Sequence, residues 1–433
     1  MQTRAALLII ALSCATARSQ PAAAVPHVDH LIDLYHELHA SPELSLHEEK
    51  TSARLAAEMR KLGLEVTEKV GGWGVVAVLK NGPGKTVMVR TDLDALPVRE
   101  ITSLPFGSKV KTKDDAGNEV SVMHACGHDM HMTCWVATAG ALVARKDQWH
   151  GTVVFIAQPA EERSMGATAM LSDGLFTRFP KPDICLALHC SAELPAGTLG
   201  ITSGAVTASV DTVDILVRGI GGHGSQPQAT KDPIVLAAQL VLALQTIHSR
   251  ELHPLDPAVI TVGSIHGGTK HNIIPDEVKL QLTVRTTSME TRKKVLDAIE
   301  RIARGLGIAA GLPDDLLPEV TRSPIFNPVL ENDLALCDKL GAAFVSTFGS
   351  DHFIKTKPSM VGEDFSRYGR TDEHLPICLF WLGTVPPAKL AEATKTGQPL
   401  PSLHSPFFHP DVEPSMITGV TAMTLAVKTC LKP

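Results

Sequence analysis

Apolar positions at helical spacing open the chain. Between residues 28 and 63, Leu31, Leu34 and Leu38, then Leu55, Met59 and Leu62, predict helix. Short β-branched runs follow at Val75–Leu79, Thr86–Arg90, Thr152–Ala157, Ile184–His189 and Ile377–Leu382. They are apolar at consecutive positions instead of alternating. That is the pattern of strands buried on both faces, as in a parallel sheet covered by helices. Helical stretches intervene, notably His131–Arg145. Strands alternating with helices predict an α/β domain with a mostly parallel sheet.

The pattern changes near residue 208. Asp211–Arg218 and Val278–Thr286 alternate apolar and polar residues, and Ala258–Ile265 reads as a further strand. Pro233–Ser249 and Met289–Leu306 read as helices. The order strand, helix, strand, strand, helix is that of a ferredoxin-like α+β module. The expected organisation is therefore a first catalytic segment at 27–207, an inserted module at 208–320, and a second catalytic segment at 321–433.

Composition narrows the function. The chain has 433 residues, 44% of them hydrophobic and 20% charged, which excludes a disordered chain or a small disulfide scaffold. A net charge of −6 gives no global field for nucleic acid or anionic lipid. No internal segment is long and apolar enough for a membrane span. Residues 1–17 read as an export signal: Arg4, an apolar run from Ala5 to Ala17, and the small-residue pattern Ala15-Thr16-Ala17. Residues 18–26 read as a linker, and a periplasmic or extracellular protein is expected. Lipid attachment at Cys14 is a weaker alternative. Most other cysteines sit in apolar strings and read as buried small hydrophobes.

Cys126 is the exception. In His124-Ala125-Cys126-Gly127-His128-Asp129-Met130-His131, a thiolate and imidazoles cluster, and both bind borderline-soft divalent ions. Cys126 and His128 would diverge on a helix, so a turn at Gly127 is expected, with His124 and His131 as neighbours and not ligands. Glu161 and Glu162 directly follow the apolar strand at 152–157, where two carboxylates must be solvated, paired or metal-bound. His189 closes another strand, Asp92 and Asp94 a third, and His404 lies in a loop before the last helix. Several strands of one sheet thus deliver ligand-type residues to one end, where open α/β sheets place their sites.

These residues resemble those of the metal-dependent amidohydrolases that include hippurate hydrolases, N-acyl amino acid aminoacylases and auxin-conjugate hydrolases. The clan also holds two-metal aminopeptidases and carboxypeptidases. The likeness runs from His39-Ala40-Ser41-Pro42-Glu43-Leu44-Ser45 through the Asp92 and Cys126 segments to Gly221-Gly222-His223-Gly224, Asn272-Ile273-Ile274-Pro275, Gly362-Glu363-Asp364-Phe365 and His404-Ser405-Pro406. It implies two divalent ions (zinc, manganese, cobalt or nickel) held by Cys126, His128, Glu162, His189 and His404. It makes Glu161 the general base toward a metal-bridging water that attacks an amide carbonyl. The residues alone leave open which of Glu161 and Glu162 is base and which is ligand. Asp94 would orient a ligating histidine. By the same resemblance the inserted module makes a homodimer, His223 polarises the substrate carbonyl, and Asn272 with Arg285 holds the carboxylate of a small N-acyl amino acid.

The chain departs from the pattern at Ser225-Gln226, Cys190-Ser191 and Val361. None removes a ligand, but these loops would face the pocket. Gly219–Gly224 also fits G-x-G-x-x-G, yet Pro227 and Pro233 interrupt the helix a dinucleotide site needs. Two other readings remain at this point: a dipeptidase or carboxypeptidase with the same centre, and a non-catalytic exported metal- or ligand-binding protein.

Overall fold

The computed structural model describes residues 28–432. The expected leader, linker and Cys14 lie outside them. The periodic segment 28–63 forms two helices, Val28–Ala40 and Glu49–Lys61. Pro42 separates them, because proline breaks a helix interior and holds the residue before it extended.

An eight-stranded sheet follows, in the spatial order Glu65–Val70, Gly74–Asn81, Gly151–Gln158, Thr86–Asp92, Ile184–Pro195, Ile377–Val385, Leu199–Ile201, Phe353–Lys355. The four strands from Gly151–Gln158 to Ile377–Val385 run parallel. The first two strands join antiparallel at one side. The consecutive apolar runs are buried on both faces, as predicted. One face packs Val89, Phe155, Leu186 and Phe380 against Tyr35, Trp135, Phe344 and Met423 of four helices: Val28–Ala40, His128–Val143, Leu334–Phe348 and Val412–Leu431. The other packs Met88, Ile156 and Leu379 against Met170, Phe365 and Tyr368. The α/β expectation is met.

A second sheet has the order Ala258–Gly267, Glu277–Thr286, Ser209–Arg218, Glu319–Arg322, all antiparallel. In chain order its strands run 4-1-3-2, the ferredoxin-like arrangement. Its fourth strand crosses position 320, so the lobe extends slightly past that point. Two helices, Pro233–Thr246 and Met289–Ala309, cover one face and close a separate core of Val213, Ile215, Leu240, Leu282, Val295 and Ile299. Asp232 caps the first helix by accepting Ile234 N–H, with Pro233 in its first turn. The run Gly219–Gly224 enters the two-residue strand Gly222–His223, not a helix, so the dinucleotide pattern is a chance match.

Candidate metal centre

The Cys126 loop gets its shape from Gly127, whose φ is 83°. A Cβ there would also sit 3.0 Å from Cys190 Sγ, so the position is closed to other residues on two counts. The turn leaves Cys126 just before the helix His128–Val143 and makes His128 its first residue. His128 Nδ1 lies 2.7 Å from the carbonyl oxygen of Asp94 and donates to it, which leaves Nε2 free to face inward. His189, within a central strand, bonds the Cys190 carbonyl through Nδ1 at 2.8 Å and turns Nε2 to within 3.6 Å of Cys126 Sγ. His404 has a left-handed φ of 66°, and its N–H donates to Ala125 O at 2.8 Å. Its Nε2 lies 3.5 Å from Glu162 Oε1.

The structure therefore brings all five expected ligands together with Glu161. Three overlapping sets each have ligand-type atoms within 4.8 Å of one another: Cys126–His128–His189, Cys126–Glu162–His404 and His128–Glu161–Glu162. Two atoms at the middle, His128 Nε2 and Glu162 Oε1, are buried with no hydrogen-bond partner among the described residues. A buried ring nitrogen and carboxylate oxygen without partners cost free energy, and a bound cation would satisfy both. The donor set of sulfur, imidazole and carboxylate suits divalent transition metals.

The electrostatics agree. Burial lowers the His128 pKa, but Asp92 and Asp94 outweigh it and hold the ring at about 10, so the site favours positive charge there. Burial raises Glu162 to about 7 against the opposing pull of His128. Burial also pushes Glu161 well up, helped by Glu363, Glu162 and Asp364. Burial raises the Cys126 thiol, with the two glutamates adding to it. Each shift reports negative groups crowded together out of water.

His131 also comes within ligand distance, in a group with Asp92 and His128, but both of its ring nitrogens are engaged. Its Nδ1 meets Asp92 Oδ1 at 2.8 Å and its Nε2 accepts from Cys190 N–H at 2.8 Å. Asp94 acts on His128 through its backbone carbonyl and through its carboxylate, whose Oδ1 lies 3.6 Å from Nδ1. The carboxylate also accepts from Glu161 N–H at 3.2 Å, Glu162 N–H at 3.0 Å and Ser45 Oγ at 2.6 Å.

Sequence reasoning did not find the support beneath the centre. Arg90 is fully buried, and its guanidinium reaches Asp92 at 2.6 Å, Glu363 at 2.9 Å, Asp364 at 3.3 Å and Gln158 at 3.2 Å. Tyr368 donates to the same Gln158 oxygen at 2.9 Å. An arginine in an otherwise apolar central strand was the available signal, since such a charge must meet buried partners. The same holds for His39, which joins Asp129 at 2.6 Å and Glu100 at 3.2 Å.

His39 makes a testable contribution to stability. Burial lowers its pKa, but the bonds to Asp129 and Glu100 prevail and raise it to about 10 from 6.5. A folded-state pKa above the unfolded one stabilises the fold fully below about 6.5, and that stability is lost as pH climbs toward 10. Urea midpoints measured from pH 6 to 10 should fall less steeply for His39→Gln than for the wild type. Parallel pH profiles would refute the assignment.

His223, Asn272 and Arg285 are not in this cluster. His223 is exposed on the lobe, where its Nδ1 accepts from Ser225 N–H at 3.1 Å. Asn272 is its exposed neighbour, and its carbonyl accepts Gly224 N–H at 2.9 Å. Arg285 is half-buried and donates to Met360 O at 2.6 Å, between the lobe and the larger domain.

A mostly parallel α/β sheet carrying a thiol–imidazole–carboxylate cluster defines a protein built to hold divalent metal. Residues 88–395 match the sequence profile of peptidase family M20/M25/M40, and the chain belongs to that family. It is 37% identical over 362 residues to thermostable carboxypeptidase 1 of Saccharolobus solfataricus, covering 82% of this chain and 86% of the relative. It is 36% identical over 335 residues to the hippurate hydrolase of Campylobacter jejuni, covering 76% and 82%. A solved dinuclear metal-binding M20 peptidase from Bacillus subtilis superposes with a TM-score of 0.75 at 29% identity, over 94% of this chain and 99% of that one.

Proposed function

We propose that the protein is a two-metal amidohydrolase that cleaves the amide bond of N-acyl amino acids, hippurate-like or acetylated. The convergence of Cys126, His128, Glu162, His189 and His404 on orphaned buried acceptors, with Glu161 alongside, carries the reading. Two divalent ions held there would supply Lewis acidity and a water of lowered pKa. Glu161 takes the proton of the attacking water and passes it to the leaving amine. Burial and the neighbouring carboxylates raise its pKa, which makes its carboxylate a stronger proton acceptor. Likeness to the hippurate hydrolase supports a capped substrate. Likeness to the carboxypeptidase supports a second reading, a peptidase with the same centre. Assays on N-benzoyl- and N-acetyl-amino acids beside free and blocked dipeptides separate them. Release of amino acid from the capped substrates supports the first reading, and cleavage of peptides alone overturns it.

The proposal includes export by the segment 1–17, tested by N-terminal sequencing of the mature chain. It also includes a homodimer through the lobe. The strand Ala258–Gly267 is a sheet edge, and the helix Pro233–Thr246 beside it exposes Ile234, Val235 and Leu242, the last 72% exposed. An unpaired edge flanked by apolar side chains suits two-fold pairing. Dimerisation would carry His223 and Asn272 to the partner's centre, which accounts for their absence from their own, and leave Arg285 near the lobe junction. Leu242→Arg should shift the light-scattering mass from dimer to monomer with metal content unchanged. A wild-type chain of monomer mass would contradict the dimer.

A further inference from the structure

The two neighbouring glutamates pose a geometric problem. Adjacent residues in extended chain point to opposite sides. Yet Glu161 Oε2 and Glu162 Oε1 lie 4.0 and 3.8 Å from the same atom, His128 Nε2. They do so because Glu161 opens a turn, closed by Ser164 N–H donating to Glu161 O at 2.7 Å, and that turn is aimed away from the strand at Ala160, whose φ is +49°. A left-handed alanine costs roughly 1–2 kcal/mol, so the surroundings must hold it.

What holds it is a row of buried carboxylates. Three consecutive N–H groups, of Ala160, Glu161 and Glu162, each donate to a carboxylate oxygen. Asp94 receives the last two, and Glu48 Oε1 receives the first at 2.7 Å. Glu48 comes from a segment 112 residues away and is fully buried. It stands at the start of the helix Glu49–Lys61 but makes no capping bond to it. Glu43 serves that helix instead, accepting Thr51 N–H at 2.8 Å. The other oxygen of Glu48 is buried with no partner among the described residues. The helix uses the backbone carbonyl of Glu48 but not its side chain, whose bond among the described residues goes to Ala160, just before the glutamate pair.

We infer that Glu48 is a positioning residue, which by accepting the Ala160 N–H holds the turn that lets Glu161 and Glu162 share one centre. The inference rests on the proposed metal-centre reading. Its test uses the full chain with cobalt(II) as the probe, followed by visible absorption, together with kcat and KM on hippurate. Glu48→Ala should bind cobalt about 10–100-fold more weakly, the usual cost of losing an outer partner of a ligand. Its kcat should fall in step while KM changes little. Glu48→Gln keeps an acceptor oxygen and should stay within about threefold of wild type in both readouts. Should Glu48→Ala fail to fold, Glu48→Asp, one methylene shorter, withdraws the acceptor and takes its place. Cobalt affinity of the truncated variant within about threefold of wild type would overturn the inference. So would a glutamine variant as weak as the alanine one, because charge and not acceptance would then matter. A wild type that binds cobalt but does not turn over hippurate would remove the substrate reading alone, and the cobalt titration would still decide the role of Glu48.

Discussion

Glu161→Gln should lose turnover by about 10²–10⁴-fold, the range for a general acid–base group, and should become more stable at the same time. The carboxyl is buried among Glu363, Glu162 and Asp364, all of which raise its pKa along with burial itself. A folded-state pKa above the unfolded one costs stability above the ordinary carboxylate range, because the unfolded chain ionises more readily, and an uncharged amide of the same shape removes that cost. Glu161 is not among the expected ligands, so metal content should stay unchanged. Activity and thermal stability thus move in opposite directions, as expected where a site keeps strained charge for function. A variant with turnover within about tenfold of wild type would remove Glu161 as the base.

Arg90→Met should have the largest effect on stability. The side chain is fully buried and is the guanidinium partner of Asp92, Glu363 and Asp364. Removing it leaves these carboxylates without their cation. Breaking a buried pair in this way typically costs about 3–5 kcal/mol, a large part of a stability of about 5–15 kcal/mol. The variant should accumulate poorly as soluble protein, and any soluble fraction should unfold at clearly lower urea than wild type. Arg90→Lys should fall between the two, since an ammonium keeps the charge but cannot span partners placed around a planar fork. A methionine variant with the wild-type urea midpoint would show that the carboxylates are neutral or otherwise compensated.

The sequence made legible what local pattern can encode. Consecutive apolar runs placed the central strands, because strands buried on both faces need apolar side chains at every position. The ligand cluster was legible because thiolate, imidazole and carboxylate stood in compact motifs, with Glu161 and Glu162 just past a strand, although His189 lies inside the strand Ile184–Pro195 and does not close it. The bracing network was not. Arg90 meets Glu363 across 273 residues, His39 meets Asp129 across 90, and Glu48 meets Ala160 across 112. Each partner alone looks like an ordinary residue, and only the fold reveals the pairing. Pro42 as a helix divider was readable in principle. The short strands Leu199–Ile201 and Phe353–Lys355 carry too few residues to set a period. The lobe residues His223 and Asn272 show a different gap: their motif was visible, but one chain alone does not bring them to the centre.

The most direct test of the account removes the metal and returns it. The protein would be stripped with chelator and then titrated with zinc or manganese, while bound metal and amino acid release from hippurate are followed together. The account predicts an inactive, folded apoprotein whose turnover rises with bound metal and levels off at about two ions per chain. Full turnover in the stripped chain, or a folded chain that binds no divalent ion, would contradict it.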